Sequence, residues 1–271
     1  MPKFSANLGF LWSELPLLER IDAAARAGFR AVELHSPYDH DAAVVGRRCR
    51  DAGVALLGIN TDITADPRDR GCAAIPGRGA DAQALIDKGL AFVEAAGGTA
   101  LHVMAGFVPP EDHEAGTVAL LHSLDYAAPR ADRLGLTILL EVMNPRDMPG
   151  YFYRSIEEAR ALVDAIGSPR IRLMFDCYHI AILQGDVISR LRTQMPAIGH
   201  VQIAAVPSRA EPDEGELSYP AIFRELDTQG YDGWVGCEYR PRAGTDQGLG
   251  WLAWPEASPD TSSASASRTT P

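Results

Sequence analysis

The sequence has few cysteines and no cysteine motif. Its four cysteines are Cys49, Cys72, Cys177 and Cys237, and none forms a Cys-x-x-Cys pair. A zinc knuckle and a thioredoxin-type redox site are therefore excluded. Few, scattered cysteines in a chain of 271 residues are typical of a reducing compartment, so we expect a cytoplasmic protein.

Long apolar runs and an excess of basic charge are also missing. No run of about 18 apolar residues occurs, which excludes a membrane span, and Asn7 and Glu14 interrupt the N-terminal stretch too early for a signal peptide. Acidic residues outnumber basic ones by 36 to 25, giving a net charge of −11. Nucleic acid and anionic membranes are therefore disfavoured as partners, because both require a basic face.

Several catalytic motifs are absent as well. No Gly-x-Gly-x-x-Gly follows a predicted strand, and no Gly-x4-Gly-Lys-Ser/Thr is present, so nucleotide cofactors are unsupported. No Gly-x-Ser-x-Gly occurs, so serine hydrolase chemistry is unsupported too.

What the chain does contain is a regular alternation of short apolar runs and longer helical patterns. Strands are predicted over 5–10, 31–35, 54–60, 100–106, 137–143, 171–177, 198–204 and 234–239. Helices are predicted over 15–28, 41–53, 82–96, 113–134, 156–166, 180–195, 219–229 and, as a short final helix, 248–254.

Eight βα units in this length favour a single (β/α)8 TIM barrel over a doubly wound sheet. Nearly continuous apolar strands such as Thr137-Ile-Leu-Leu-Glu141 suit a parallel sheet that is covered on both faces. We predict one barrel domain over 1–257. The segment 258–271 is rich in Ser, Thr, Ala and Pro without periodicity, which predicts a disordered tail.

Four consecutive strands end in a polar side chain after an apolar stretch, and barrel enzymes place their active sites at these strand ends. The four residues are Glu141, Asp176, Gln202 and Glu238. Three carboxylates at one rim repel each other, which implies a neighbouring positive charge. Oxygen ligands alone suit a hard cation, so the sequence predicts a Mg²⁺ or Mn²⁺ site.

Two alternatives to this metal site stay open. The carboxylates could instead form separate salt bridges with Arg146, Arg172 or Arg240. Gln202 could bind substrate rather than metal.

Other polar residues carry weaker signals. His179 could reach the same mouth or cap a helix, and Arg209 could hold a substrate carboxylate or be a surface arginine. Glu33 and His35 end the second strand, where a supporting or purely structural role is favoured over catalysis. His102 is interpreted as a core histidine with its hydrogen bonds satisfied.

At these residues the sequence resembles the hydroxypyruvate isomerase family of the xylose-isomerase-like barrel superfamily. The Gly199-His-Val-Gln-Ile203 segment and the Gly233-Trp-Val-Gly-Cys-Glu-Tyr239 segment are specific in combination. Further matching segments are Phe4-Ser-Ala-Asn-Leu8, Ala24-Ala-Arg-Ala-Gly-Phe-Arg-Ala-Val-Glu33, Pro37-Tyr-Asp39, Ile75-Pro-Gly-Arg78, Glu141-Val-Met-Asn-Pro145, Asp147-Met-Pro-Gly150 and Phe175-Asp-Cys-Tyr-His179.

The resemblance implies roles for named residues. Glu141 and Glu238 resemble the paired glutamates that donate and accept protons, and these two with Asp176 and Gln202 match the metal-ligand positions. His179 and Arg209 resemble substrate contacts. His35 departs from the aromatic or large apolar residue of relatives, which could alter the substrate pocket.

The implied reaction interconverts hydroxypyruvate and tartronate semialdehyde by metal-assisted proton transfer through an enediolate. The nearest alternative is an isomerase of 2-oxo-tetronate or a related small sugar acid. A metal-dependent dehydratase or lyase on the same barrel is a further alternative. A DNA-repair endonuclease is disfavoured by the net charge of −11, and a binding module without metal is given little weight.

The sequence does not determine the oligomeric state or the role of the predicted loop over 61–79. A homo-oligomer is compatible with it, but the oligomeric state is not fixed. The predicted loop over 61–79 could close over the pocket or contact another subunit.

Overall fold

The computed structural model describes residues 2–63 and 70–253, and eight parallel strands form its centre. The strands are β1 Lys3–Asn7, β2 Ala31–Glu33, β3 Ala55–Asn60, β4 Ala100–His102, β5 Thr137–Glu141, β6 Ile171–Asp176, β7 Ile198–Ile203 and β8 Trp234–Cys237. Each strand pairs with the next along the chain, and β8 pairs with β1 to close the barrel. The predicted barrel is confirmed, while the tail predicted over 258–271 lies outside the described residues.

Helices surround the barrel and cover its apolar outer face. They are α1 Leu17–Arg26, α2 Ala42–Ala52, α3 Gly79–Ala96, α4 His113–Leu134, α5 Ile156–Ile166, α6 Cys177–Leu183, α7 Val187–Gln194, α8 Tyr219–Thr228 and α9 Thr245–Gly248. Among the described residues, none of the helices is both long and apolar enough to cross a membrane.

Local capping explains where individual helices begin. The side chain of Asp41 accepts a hydrogen bond from the Val44 N–H at the start of α2. Ser155 Oγ accepts one from the Glu158 N–H at the start of α5. Both are short polar side chains placed before an apolar pattern, which is the arrangement that helix N-termini favour.

The prediction of a single helix over 180–195 is wrong, because two helices, α6 and α7, occupy this region. Gly185 has a φ of 68° and Asp186 a φ of 49°, and the Gly185 N–H bonds to the carbonyls of Ile180 and Ala181. This left-handed turn ends α6, and glycine takes that conformation without steric cost. Helix α6 also begins earlier than predicted, at Cys177, directly after β6.

The described part of the predicted 61–79 loop lies against the barrel. Gly71 forms an antiparallel bridge with Ala105 beyond the end of β4, and a Cβ at Gly71 would lie 2.2 Å from the Met104 carbonyl oxygen. Ser123 Oγ donates to the Ala73 carbonyl from α4. The segment after residue 70 is therefore anchored on the barrel, while 64–69 lies outside the described residues.

Candidate metal centre and active site

The four predicted metal ligands lie together at the carboxyl ends of β5 to β8. Glu141 is the last residue of β5, Asp176 is the last of β6, Gln202 lies within β7, and Glu238 directly follows β8. All four are buried, with exposed fractions between 1% and 7%. Asp176 and Gln202 are register partners on neighbouring strands, so their side chains point into the same part of the barrel.

Three oxygens of this group are buried and have no hydrogen-bond partner among residues 2–63 and 70–253. They are Glu141 Oε1, Asp176 Oδ2 and Gln202 Oε1, which we call the oxygen triad. A buried polar atom without a partner costs free energy, so native proteins leave few of them. Carboxylate and amide oxygens are the ligands that hard divalent cations prefer, so the chemistry of the oxygen triad fits such an ion.

The carboxylates also perturb one another. Burial, followed by the charges of Glu238 and Asp176, raises the pKa of Glu141 well above its ordinary value. Burial, followed by the charge of Glu238, raises the pKa of Asp176 to about 7. Both pKa values are raised because it costs free energy to keep several negative charges together in a region that excludes water.

His179 lies beside the oxygen triad but is a poor metal ligand. One ligand atom from each of Glu141, Asp176 and His179 lies within 4.8 Å of the others. However, His179 Nδ1 accepts a hydrogen bond of 3.0 Å from the Asn144 N–H. Burial and then the charge of Arg209 lower the pKa of His179 well below its ordinary value, which favours the neutral ring. Because Nδ1 accepts the Asn144 N–H, the proton of the neutral ring is on Nε2, which lies 3.4 Å from Arg209 Nη2.

His179 Nε2 therefore acts as a donor towards the mouth. It lies 3.7 Å from both Glu141 Oε1 and Asp176 Oδ2. Of the two interpretations of His179, capping is wrong, because Asp176 Oδ1 accepts the Tyr178 N–H and caps α6 instead.

Arg209 is buried in the same mouth and is not a surface arginine. Its Nη2 donates to Glu238 Oε1 at 3.3 Å, and its Nη1 donates to Asp147 Oδ2 at 3.1 Å. The guanidinium also lies over the rings of Phe10 and Tyr178, at 4.9 Å and 5.0 Å. Arg209 thus forms the cationic wall of the site. Among the described residues, no salt bridge joins Arg146, Arg172 or Arg240 to the three carboxylates, so Arg209 takes the place of these alternative partners.

Two residues that the sequence analysis did not single out for chemistry, Asn144 and Asp147, also border the site. Asn144 fixes His179, and Asp147 holds Arg209 and accepts the Tyr178 hydroxyl at 2.9 Å. His35 Nε2 lies 3.3 Å from Glu238 Oε1, so this unusual residue is part of the mouth. The sequence did contain an indication that Asp147 belongs to the site, because Asp147-Met-Pro-Gly150 is one of the segments that resemble the family.

The interpretation of His102 as a core histidine with satisfied hydrogen bonds is wrong. His102 is buried, but its Nε2 has no hydrogen-bond partner among the described residues, so it is not a satisfied core histidine. Its Nδ1 lies 3.2 Å from Asn60 Oδ1, and burial lowers the pKa of His102 to about 4. For Glu33, burial is outweighed by His200, Ser5 and Gln202, which together lower its pKa to about 2.

A cavity of about 420 Å³ lies at the mouth of the barrel. Glu141, His179, Arg209, Glu238 and Arg240 are among its lining residues. A molecule of a few carbon atoms has room in such a cavity, which both carboxylates and arginines line.

Comparison with known proteins assigns the family. The profile of the xylose isomerase-like TIM barrel family matches residues 21–253. The chain belongs to this family. The family predicted from the sequence motifs is thereby confirmed.

Individual relatives are similar along nearly their whole length. A 2-oxo-tetronate isomerase of Cupriavidus necator is 45% identical, with 93% of this chain and 98% of the relative covered. A putative hydroxypyruvate isomerase of Homo sapiens is 38% identical, with 92% and 94% covered. A crystal structure of an AP endonuclease of family 2 from Brucella melitensis is 40% identical, with a TM-score of 0.91 and 93% and 98% covered.

Proposed function

We propose that this chain is an isomerase that moves a carbonyl group between neighbouring carbons of a small 2-oxo acid. The observation that carries the proposal is the oxygen triad beside two buried glutamates, Glu141 and Glu238, which line one cavity from strands three apart in the barrel. The isomerase names of the similar proteins support it.

A divalent cation, Mg²⁺ or Mn²⁺, would be held by the oxygen triad together with Glu238. When bound, it supplies positive charge beside the two substrate oxygens on which negative charge develops. The amide of Gln202 keeps the ligand set from carrying a fourth negative charge.

The two glutamates have complementary tasks in this proposal. One removes the proton from the carbon that bears the hydroxyl group, and the other returns a proton to the former carbonyl carbon. The hydroxyl proton passes between the two oxygens, and proton exchange with solvent returns the two glutamates to their starting protonation states, so atoms and charges balance over a turnover. Positioned proton transfer of this kind typically contributes about 10²–10⁴-fold to the rate.

The substrate carboxylate needs a cation and donors, and the mouth offers both. Arg209 is held in place by Asp147 and Glu238, and the His179 Nε2–H points into the same space. Arg240 lines the cavity above Phe10, at 5.5 Å from its ring, and is a second candidate.

We propose 2-oxo-tetronate, a four-carbon acid, as the preferred substrate, and hydroxypyruvate as the second candidate. The 45% identity to a 2-oxo-tetronate isomerase, against 38% to a putative hydroxypyruvate isomerase, supports this order. The sequence motifs alone favoured the three-carbon acid.

The test is a side-by-side measurement of kcat/KM on both acids, with Mg²⁺ or Mn²⁺ added to chelator-treated protein. Turnover of 2-oxo-tetronate with the larger kcat/KM supports the proposal, and a larger value on hydroxypyruvate reverses the order of substrates. Product mass separates isomerisation, which leaves the mass unchanged, from dehydration, which lowers it by one water. No metal-dependent turnover of either acid would contradict the isomerase proposal.

The name of the Brucella melitensis structure makes an endonuclease the second function to test. The net charge of −11 argues against it, because duplex binding depends on neutralising phosphates with basic side chains. We expect no cleavage of an abasic-site duplex in the presence of Mg²⁺, Mn²⁺ or Zn²⁺.

A further inference from the structure

A fourth buried carboxylate lies near the proposed metal centre and is not one of its ligands. Glu33 ends β2 and is 6% exposed. Its Oε1 accepts the Ser5 hydroxyl from β1 and lies 3.1 Å from His200 Nε2 on β7. Its Oε2 accepts a hydrogen bond of 2.9 Å from Gln202 Nε2.

The last of these bonds fixes which way the Gln202 amide faces. A carboxylate only accepts hydrogen bonds, so the NH2 group of Gln202 has to point at Glu33. The amide oxygen then points away from Glu33. That oxygen, Gln202 Oε1, is the member of the oxygen triad that comes from β7.

The barrel is shaped to hold this pair of side chains. A Cβ on Gly236 of β8 would lie 2.4 Å from Glu33 Oε1 and 2.9 Å from Gln202 Cγ. Gly236 is also the register partner of Gln202. The glycine two residues before Glu238 therefore leaves space in which Glu33 and Gln202 meet.

We infer that Glu33 is a positioning residue, which orients the Gln202 amide so that its oxygen serves as the neutral ligand of the cation. The inference rests on the proposed function, because it takes Gln202 as a metal ligand. Neighbours that orient ligands in this way are typically worth about 10–100-fold in metal affinity.

The test measures the Kd for Mn²⁺ alone on the full chain, by electron paramagnetic resonance or calorimetry, with no substrate present. Glu33→Met keeps the length of the side chain but removes the acceptor, and we expect the Kd to rise by about 10–100-fold. Glu33→Gln retains an oxygen that can accept from Gln202, so it should recover most of the affinity. Ser5→Ala removes only a bond to the other oxygen of Glu33 and serves as the matched control, with a Kd close to that of the wild type.

A double-mutant cycle separates positioning from a general structural role. In a Gln202→Ala background there is no amide to orient, so Glu33→Met should not weaken Mn²⁺ binding further. An unchanged Kd in Glu33→Met, or a loss in the double variant equal to the product of the two single losses, would overturn the inference. If Glu33→Met does not fold, Glu33→Asp replaces it, because it keeps a charge near His200 while withdrawing the carboxylate from Gln202.

The same titration distinguishes this inference from the proposed function. A wild-type chain that does not bind Mn²⁺ contradicts the proposed metal centre itself. A wild-type chain that binds Mn²⁺ but isomerises neither acid contradicts the proposed reaction, while the comparison among the Glu33 variants stays decisive.

Discussion

Strands β1 to β3, which we call the first half of the barrel, differ from strands β5 to β8, the second half, in how their strand ends are satisfied. Strands β1 to β3 end in Asn7, Glu33 and Asn60, whose side chains hydrogen-bond to Gly9, to Ser5 and Gln202, and to His102. Strands β5 to β7 carry the oxygen triad, whose atoms have no such partner in the described part of the chain. Both halves are polar and buried, so polarity alone does not identify the site.

The difference supports the proposed ligand site in the second half, while the first half supplies partnered side chains, of which Glu33 contacts the proposed ligand Gln202. The hydrogen bonds of Asn7, Glu33 and Asn60 stabilise the folded chain without any bound ligand. The oxygen triad leaves its polar atoms unsatisfied until something outside the chain contacts them. Unsatisfied buried groups that converge from several strands are thus the feature that distinguishes the two halves.

The largest expected effect comes from the proposed proton-transfer residues in the second half. Glu141→Gln and Glu238→Gln should each lower kcat by about 10²–10⁴-fold, because an amide can neither take up nor release the transferred proton. Initial rates with saturating Mn²⁺ and 2-oxo-tetronate check this. Near-full turnover in either variant, with Mn²⁺ still bound, would falsify the two-glutamate mechanism.

A second prediction concerns metal loading. A cation that satisfies the oxygen triad should stabilise the folded chain by about 2.7 kcal/mol at a concentration of 100 Kd. Thermal unfolding with and without Mn²⁺ measures this as a higher Tm. Asp176→Asn is the comparison variant, and an equal shift in it would show that the ion binds elsewhere.

Replacing the cationic wall should have an intermediate effect. Arg209→Met removes the donors that face Glu238 and the substrate, and we expect KM to rise by about tenfold or more, since hydrogen bonds to charged groups contribute about 1.5–3 kcal/mol. Steady-state kinetics on 2-oxo-tetronate test it, with Arg240→Met alongside. A larger rise in KM for Arg240→Met would make Arg240 the carboxylate-binding residue.

The pH dependence of the metal-free protein gives a further test. Because the folded-state pKa of Asp176 is raised to about 7 from an ordinary value of 3.8, the folded chain holds a proton between these values that the unfolded chain has lost. Stability from this group is therefore lost as pH rises from about 4 to about 7, with a slope of up to about 1.4 kcal/mol per pH unit. Urea unfolding of chelated protein from pH 5 to 8 measures the slope, and Asp176→Asn should flatten it.

The smallest effect should come from Asn7 in the first half, whose side chain, unlike that of Glu33, makes no hydrogen bond to a proposed metal ligand in the described part of the chain. Asn7→Ala removes one hydrogen bond to the Gly9 N–H, which is worth about 1 kcal/mol of stability. The Kd for Mn²⁺ should not change. A loss of Mn²⁺ affinity as large as that in Gln202→Ala would remove the distinction between the two halves.

The sequence predicted the eight strands and the candidate ligands at their ends, because an apolar stretch that meets a carboxylate, as in Leu-Leu-Glu141, is visible in one segment. Most predicted strands nevertheless run one to four residues past the ends that the structure gives them. The sequence could not predict which polar residues are satisfied. Gln202 and Glu33 are 169 residues apart and Arg209 and Asp147 are 62 apart, so their pairing depends on barrel closure. The break at Gly185 was missed for a different reason, since the apolar pattern continues across it.

The most direct test of the oxygen triad is the position of Mn²⁺ in crystals of the full chain, located by its anomalous scattering. One ion per chain is expected, bound by Glu141 Oε1, Asp176 Oδ2, Gln202 Oε1 and Glu238, at the separations of about 2 Å typical of hard cations and oxygen ligands. An ion bound through His179 Nε2 without Gln202, or crystals that bind no ion at these strand ends, would contradict the account.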